Sequence, residues 1–161
     1  LVIYDSVFGN TEKIARAIAD ALRVNTSGTT ESVEVLLAGQ ASPEALAQAG
    51  LVVIGSPTRQ FRPTEGTSAL LARLGPGTLK GVQVAAFDTR IDARTIKGLV
   101  GVLFRTFVKD MGYAAPRIDA ALTQAGGQRA TIPAGFIVEG TEAPLRAGDL
   151  ERAGEWARNL A

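Results

Sequence analysis

An apolar run, Leu1-Val2-Ile3-Tyr4, passes through Asp5 and a short polar loop, Ser6-Val7-Phe8-Gly9-Asn10-Thr11, straight into a segment with helical spacing. A buried strand, a tight loop and a helix at the head of a chain open an α/β unit, in which each strand is covered by the helix that follows it. The loop gathers two hydroxyls (Ser6, Thr11), an amide (Asn10) and a glycine (Gly9) that lets the backbone approach a ligand closely. These groups stand where the helix exposes its unpaired N–H groups and the positive end of its dipole. A phosphate fits such a place. The Gly-Lys-Ser/Thr ending of a nucleoside-triphosphate loop and the three-glycine dinucleotide fingerprint are both missing here.

The remaining chain repeats the pattern. Ile14, Ile18 and Leu22 form one stripe of a helix over residues 11–23. Strands are expected at 33–37, 51–54, 82–87 and 136–138, and helices at 43–48, 64–74, 116–125 and 149–160. Ser42-Pro43 reads as an N-cap followed by a proline in the first turn. The run Leu51-Val52-Val53-Ile54 is apolar without alternation, as a central parallel strand covered on both faces should be. The expected architecture is therefore one α/β domain over residues 1–161, built on a doubly wound, five-stranded parallel sheet with right-handed crossovers. One crossover is too long. Between the fourth and fifth strands, Ile96, Leu99, Val100, Leu103, Phe104, Phe107, Val108 and Met111 mark an additional apolar helix over residues 96–111, ahead of the helix at 116–125.

Composition narrows the chemistry. The chain has 161 residues, with neither cysteine nor histidine, which excludes thiol catalysis, disulfides and the Ser-His-Asp relay, and with them nearly all zinc and haem sites. Redox chemistry, if present, would have to come from a bound organic cofactor. A net charge of +1 from dispersed residues gives no nucleic-acid stripe, and no apolar stretch is long enough for a membrane span, so a cytoplasmic protein is expected. In a doubly wound sheet the ligand lies beyond the carboxyl ends of the strands, where the strand order reverses. Three loops there look unlike ordinary turns. They are residues 6–11, 56–62 and 88–94.

The Ser-x-x-Gly-Asn-Thr loop, the two later loops and the closing segment (Gly135-Phe136-Ile137-Val138-Glu139-Gly140, then Pro144-Leu145 and residues 148–157) together resemble the flavodoxin-like proteins, the FMN-binding family of flavodoxin and nitric oxide synthase type. The resemblance spans most of the chain except about residues 92–112. It implies strand order 2-1-3-4-5 and FMN as cofactor. Ser6, Val7, Phe8, Gly9, Asn10 and Thr11 would hold the phosphate, Phe8 and Gly9 through backbone N–H groups. Ser56, Pro57, Thr58, Arg59 and Phe61 would line one side of the flavin ring, and Asp88, Thr89 and Arg90 the other. Flavodoxins commonly place the ring between a tryptophan and a tyrosine and are strongly acidic. Here those loops offer only Phe61, Trp156 belongs to the closing helix, and the chain is close to neutral.

The function implied is electron transfer by a flavoprotein, with no side chain acting as acid, base or nucleophile and no metal site. Its partner would be a redox protein or a small aromatic acceptor. A flavin-dependent reductase of quinones or other aromatic substrates is the alternative, favoured somewhat by the apolar insertion, which could shape a water-poor cavity or pair two copies of the chain through residues 96–111. A flavin-free interaction module on the same fold is the third reading. A phosphorylated receiver domain, which shares the strand order, is excluded because strand three ends at Gly55-Ser56 without an aspartate.

Overall fold

Three successive elements set the frame: β1 (Val2–Tyr4), the sixteen-residue helix α1 (Asn10–Asn25) and β2 (Val35–Leu37). They are followed by a 3-10 turn (Ala38–Gln40), α2 (Pro43–Ala47), β3 (Leu51–Pro57), α3 (Glu65–Ala72), β4 (Gln83–Ile91), α4 (Ala114–Gln124), β5 (Gln128–Arg129), β6 (Ala134–Val138) and α5 (Asp149–Arg158). The computed structural model describes residues 1–25, 31–92, 98, 101–103, 106, 112–140 and 142–160. The sheet is parallel, in the order β2-β1-β3-β4-β5, with β6 also paired to β4. This is the doubly wound order expected, with the reversal at the β1/β3 boundary.

Strand alternation sorts the apolar residues into two cores. Ile3, Val52, Ile54, Val84 and Ala86 point to one face, where Leu46 of α2, Leu70 of α3 and Ala114, Ile118 and Leu122 of α4 cover them. Val2, Tyr4, Val53, Ala85, Phe87 and Phe136 point to the other, against Ile14, Ile18 and Leu22 of α1 and Ala153 and Ala157 of α5. Trp156 closes this second core edge-on to Phe87, with ring centroids 6.4 Å apart. Gly55 is required where it stands. A Cβ there would lie 1.9–2.3 Å from the Phe87 ring, so the side chain of β4 fills the space that β3 leaves. As expected, Ser42 caps α2, its Oγ accepting from Ala45 N at 3.2 Å.

The fold differs from expectation in three places. The fifth strand is split into β5 and β6. Residues 130–133 stand opposite only Ala85 and Ala86 of β4, and Pro133, which has no N–H to give a ladder, ends the interruption. β4 does not stop at Phe87 but continues to Ile91, held by β6 on one side and β3 on the other. Helix α4 begins at Ala114, before Pro116, because its first N–H groups find acceptors elsewhere in the fold. Of the additional helix expected over residues 96–111, Gly101, Val102, Leu103 and Thr106 are helical, with Val102 and Leu103 half exposed. Ile96, Leu99, Val100, Phe104, Phe107, Val108 and Met111 lie outside the described residues.

Candidate functional site

The loop between β1 and α1 turns on Gly9, whose backbone has a positive φ. That is the left-handed region, which only glycine occupies freely. Its carbonyl accepts the first helical bond, from Lys13 N at 3.1 Å. The N–H groups of residues 7–12 have no acceptor among the described residues, because the first turn of a helix supplies none. Ser6 N is different: it donates to Asp5 Oδ1 at 2.9 Å, and Asp5 Oδ2 takes the Thr64 hydroxyl at 2.6 Å. That arrangement keeps the Asp5 carboxylate occupied. Asn10 ties the loop to the far wall by donating Nδ2–H to Ala143 O at 2.8 Å, and the Thr11 and Thr89 hydroxyls share one hydrogen bond of 2.8 Å. In that pair the accepting hydroxyl keeps its own hydrogen for a ligand. The Ser6 Oγ is buried and makes no hydrogen bond, the one such side-chain atom among the described residues.

The loop after β3 is a tight hairpin. Arg59 and Arg62 exchange both backbone hydrogen bonds, at 2.9 and 3.0 Å, around Gln60 and Phe61. Both central residues have positive φ. Such a conformation costs a non-glycine residue on the order of a kilocalorie per mole. The first arginine of the hairpin folds back across the cleft mouth, with Arg59 Cζ 5.5 Å from the centroid of the Phe8 ring.

β4 carries the third wall. Because it runs past Phe87, its side chains go on alternating. Thr89 faces Thr11, while Asp88 and Arg90 fall on the α4 side. Asp88 is wholly buried and accepts from Ala115 N (2.8 Å), the Thr58 hydroxyl (3.2 Å) and Arg90 Nε (2.5 Å). The Thr58 hydroxyl in turn accepts from Ala114 N at 2.9 Å. The Asp88 carboxylate of β4 and the hydroxyl of Thr58, the residue just after β3, thus cap α4 in place of Tyr113, the N-cap residue, whose side chain makes no cap bond. Burial raises the Asp88 carboxyl above its ordinary value, against the guanidinium and the hydrogen-bond donors that oppose the rise. All three of its partners present hydrogens, which suits the carboxylate.

These walls enclose a cleft of about 310 Å³ at the carboxyl ends of β1, β3, β4 and β6. Of the residues expected at a ligand site, Ser6, Val7, Phe8, Asn10, Thr11, Pro57, Thr58, Arg59, Phe61, Thr89 and Arg90 line it. Gly9, Ser56 and Asp88 do not. Gly9 makes the turn, the buried Ser56 accepts from Thr64 N at 2.9 Å and so fixes the start of α3, and Asp88 faces the protein interior. Five further residues line it that were not singled out from the sequence: Gln60 and Ile91, which lie in two of the loops expected there, and Tyr113, Val138 and Gly140. Tyr113 supplies an aromatic wall beyond Phe61, and its signal was its place just before a helix that starts at the carboxyl edge of the sheet.

No family model matches the chain, and no curated protein matches it. Solved structures do. Oxidised flavodoxin 2 from Bacillus cereus superposes with a TM-score of 0.73 at 19% identity, over 98% of this chain and 94% of that one. Oxidised flavodoxin 1 from the same organism gives 0.73 at 16%, over 98% and 93%. The flavodiiron protein from Giardia intestinalis gives 0.66 at 20%, over 98% of this chain and 34% of that one. Among the described residues no helix is long and apolar enough to cross a membrane. The fold of this chain is flavodoxin-like.

Proposed function

We propose that the chain binds FMN in this cleft and acts as an electron-transfer flavoprotein, serving a redox partner protein or a small aromatic acceptor. The observation that carries the reading is the buried, unpartnered Ser6 Oγ, set beside a run of unpaired N–H groups at the head of α1. A buried hydroxyl without a partner costs about 1–3 kcal/mol, so the fold keeps it for an acceptor that arrives from outside. The loop contains no lysine, and Asp5 is held by Ser6 N and Thr64. Hydroxyls, N–H groups and a helix dipole suit a phosphate monoester. Ser6, Thr11 and the N–H groups of residues 7–12 would hold the phosphate, with the Asn10 side chain bracing the loop. Pro57, Thr58, Arg59, Phe61, Thr89, Arg90 and Tyr113 would flank the ring, in a cleft whose apolar members, Ile91 and Val138, keep water from it.

A bound flavin supplies the electron chemistry. The chain's own part is to bind and orient the ring, leave one edge open, and set the charge around it. Val7 and Phe8 at the mouth are both exposed. They form an apolar rim of the kind a partner covers. The test is a titration of the flavin-free chain with FMN, followed by flavin fluorescence, on the wild type and Ser6→Ala. The expected result is stoichiometric quenching by the wild type and a binding constant about tenfold weaker in the variant. No quenching by a folded wild-type chain would refute the reading.

A further inference from the structure

The guanidinium of Arg90 is fixed on three sides. Its Nε donates to the buried carboxylate of Asp88 at 2.5 Å, and its Cζ lies 3.9 Å from the centroid of the Tyr113 ring. Against Gly135 it packs so closely that a Cβ there would fall 2.2 Å from Cζ. The Nη groups make no hydrogen bond among the described residues, and the side chain, 17% exposed, lines the cleft. A long side chain is thus immobilised with unused donors open to the ligand.

Its charge is not simply cancelled by Asp88. The carboxylate is wholly buried and so farther from the cleft, and its Oδ2 accepts from Ala115 N in the first turn of the eleven-residue helix α4. That is the positive end of the helix dipole. The helix terminus takes up part of the negative charge, and the positive end of the pair is the end that meets the ligand.

We infer that Arg90 is a fixed cationic contact for the flavin ring, which favours the anionic reduced ring over the neutral oxidised one. This rests on the reading of the cleft as an FMN site. Reduction of the ring by two electrons with uptake of one proton, the electrons supplied by dithionite and the proton by water, leaves one negative charge on its pyrimidine half. A cation held nearby, with no freedom to swing away, stabilises that charge without having to be ordered first. The lysine-free phosphate loop does not serve this role, because it faces the other end of the ligand.

The experiment measures two dissociation constants for the whole chain above neutral pH: oxidised FMN by fluorescence quenching, and reduced FMN from the two-electron midpoint of the complex against that of free FMN. Arg90→Met is expected to weaken reduced FMN about tenfold more than oxidised FMN, which is a fall of about 30 mV in the midpoint. Arg90→Lys, which keeps the charge and loses the forked, stacked geometry, should fall between. Arg158→Met, at the end of α5 away from the cleft, removes the same charge and should leave the ratio unchanged. Should Arg90→Met not fold with Asp88 unpaired, Asp88→Asn/Arg90→Met removes both charges and reports the same ratio. Equal weakening of the two forms, within about twofold, overturns the inference while leaving the FMN site standing. A wild-type chain that binds neither form overturns both.

Discussion

Removing the Asp88 carboxylate tests how the cleft is built. Asp88→Ala deprives three donors of their acceptor at once: the N–H of Ala115, which is buried, the Thr58 hydroxyl, and Arg90 Nε. Breaking a buried ion pair from one side costs about 3–5 kcal/mol, and because Arg90 keeps some contact with water at the cleft, the lower end of that range is expected. Asp88→Asn keeps the volume and one acceptor but must turn an NH2 group toward a donor, so its cost should be about 1–3 kcal/mol. The assay is urea unfolding at several pH values. Burial raises the Asp88 carboxyl above its ordinary value of 3.8, so the folded chain holds this proton where the unfolded chain has released it. The stability that this group contributes is therefore greatest below the ordinary value and is lost as pH rises through the raised one. The stability of the wild type relative to Asp88→Asn should fall across that window. A relative stability that climbs with pH there, or a loss below about 1 kcal/mol in Asp88→Ala, would refute the account of the capped α4 start.

Gly55→Ala places a Cβ 1.9 Å from the Phe87 ring in a core with no slack. It should cost about 3 kcal/mol or more in the same unfolding assay, and Gly55→Ala/Phe87→Leu should recover part of the loss. A single variant as stable as the wild type would show that β3 and β4 can separate freely. Thr11 is buried and its hydroxyl is paired with that of Thr89. Thr11→Asp removes that hydroxyl and sets a carboxylate against a phosphate, so it should weaken FMN binding by about a hundredfold or more. An unchanged binding constant in a fluorescence titration would remove Thr11 from the site.

The strands and the first loop were legible because their signals are local, whereas the sheet order came from the family resemblance. Leu51-Val52-Val53-Ile54 is apolar on both faces and can only be central, and Ser6-Val7-Phe8-Gly9-Asn10-Thr11 puts its donors and its left-handed turn in consecutive positions. The orientation of Asp88 was not. An aspartate after an apolar run reads as a loop residue, and it is the pairing of Asp88 with Ser56 of β3 and Gly135 of β6 that continues the strand and turns this side chain inward. The cap on α4 is likewise invisible in sequence, since Thr58 and Asp88 are 56 and 27 residues from the N–H groups they accept. The split of the fifth strand left a trace in Pro133, but β5 is two residues long, too short to carry any periodicity. Tyr113 reaches the cleft by the same long-range route, through the anchoring of α4, and Arg90 stacks on it there.

If the loop after β1 is a phosphate site serving a flavin, the phosphate should supply much of the ligand's affinity. Calorimetric titration of one flavin-free preparation with FMN and with riboflavin tests it most directly, because the two ligands share the ring and differ only in the phosphate. Binding of FMN at least about a hundredfold tighter than riboflavin, roughly 2.7 kcal/mol from the loop alone, is the result predicted. Equal affinity for the two would contradict it.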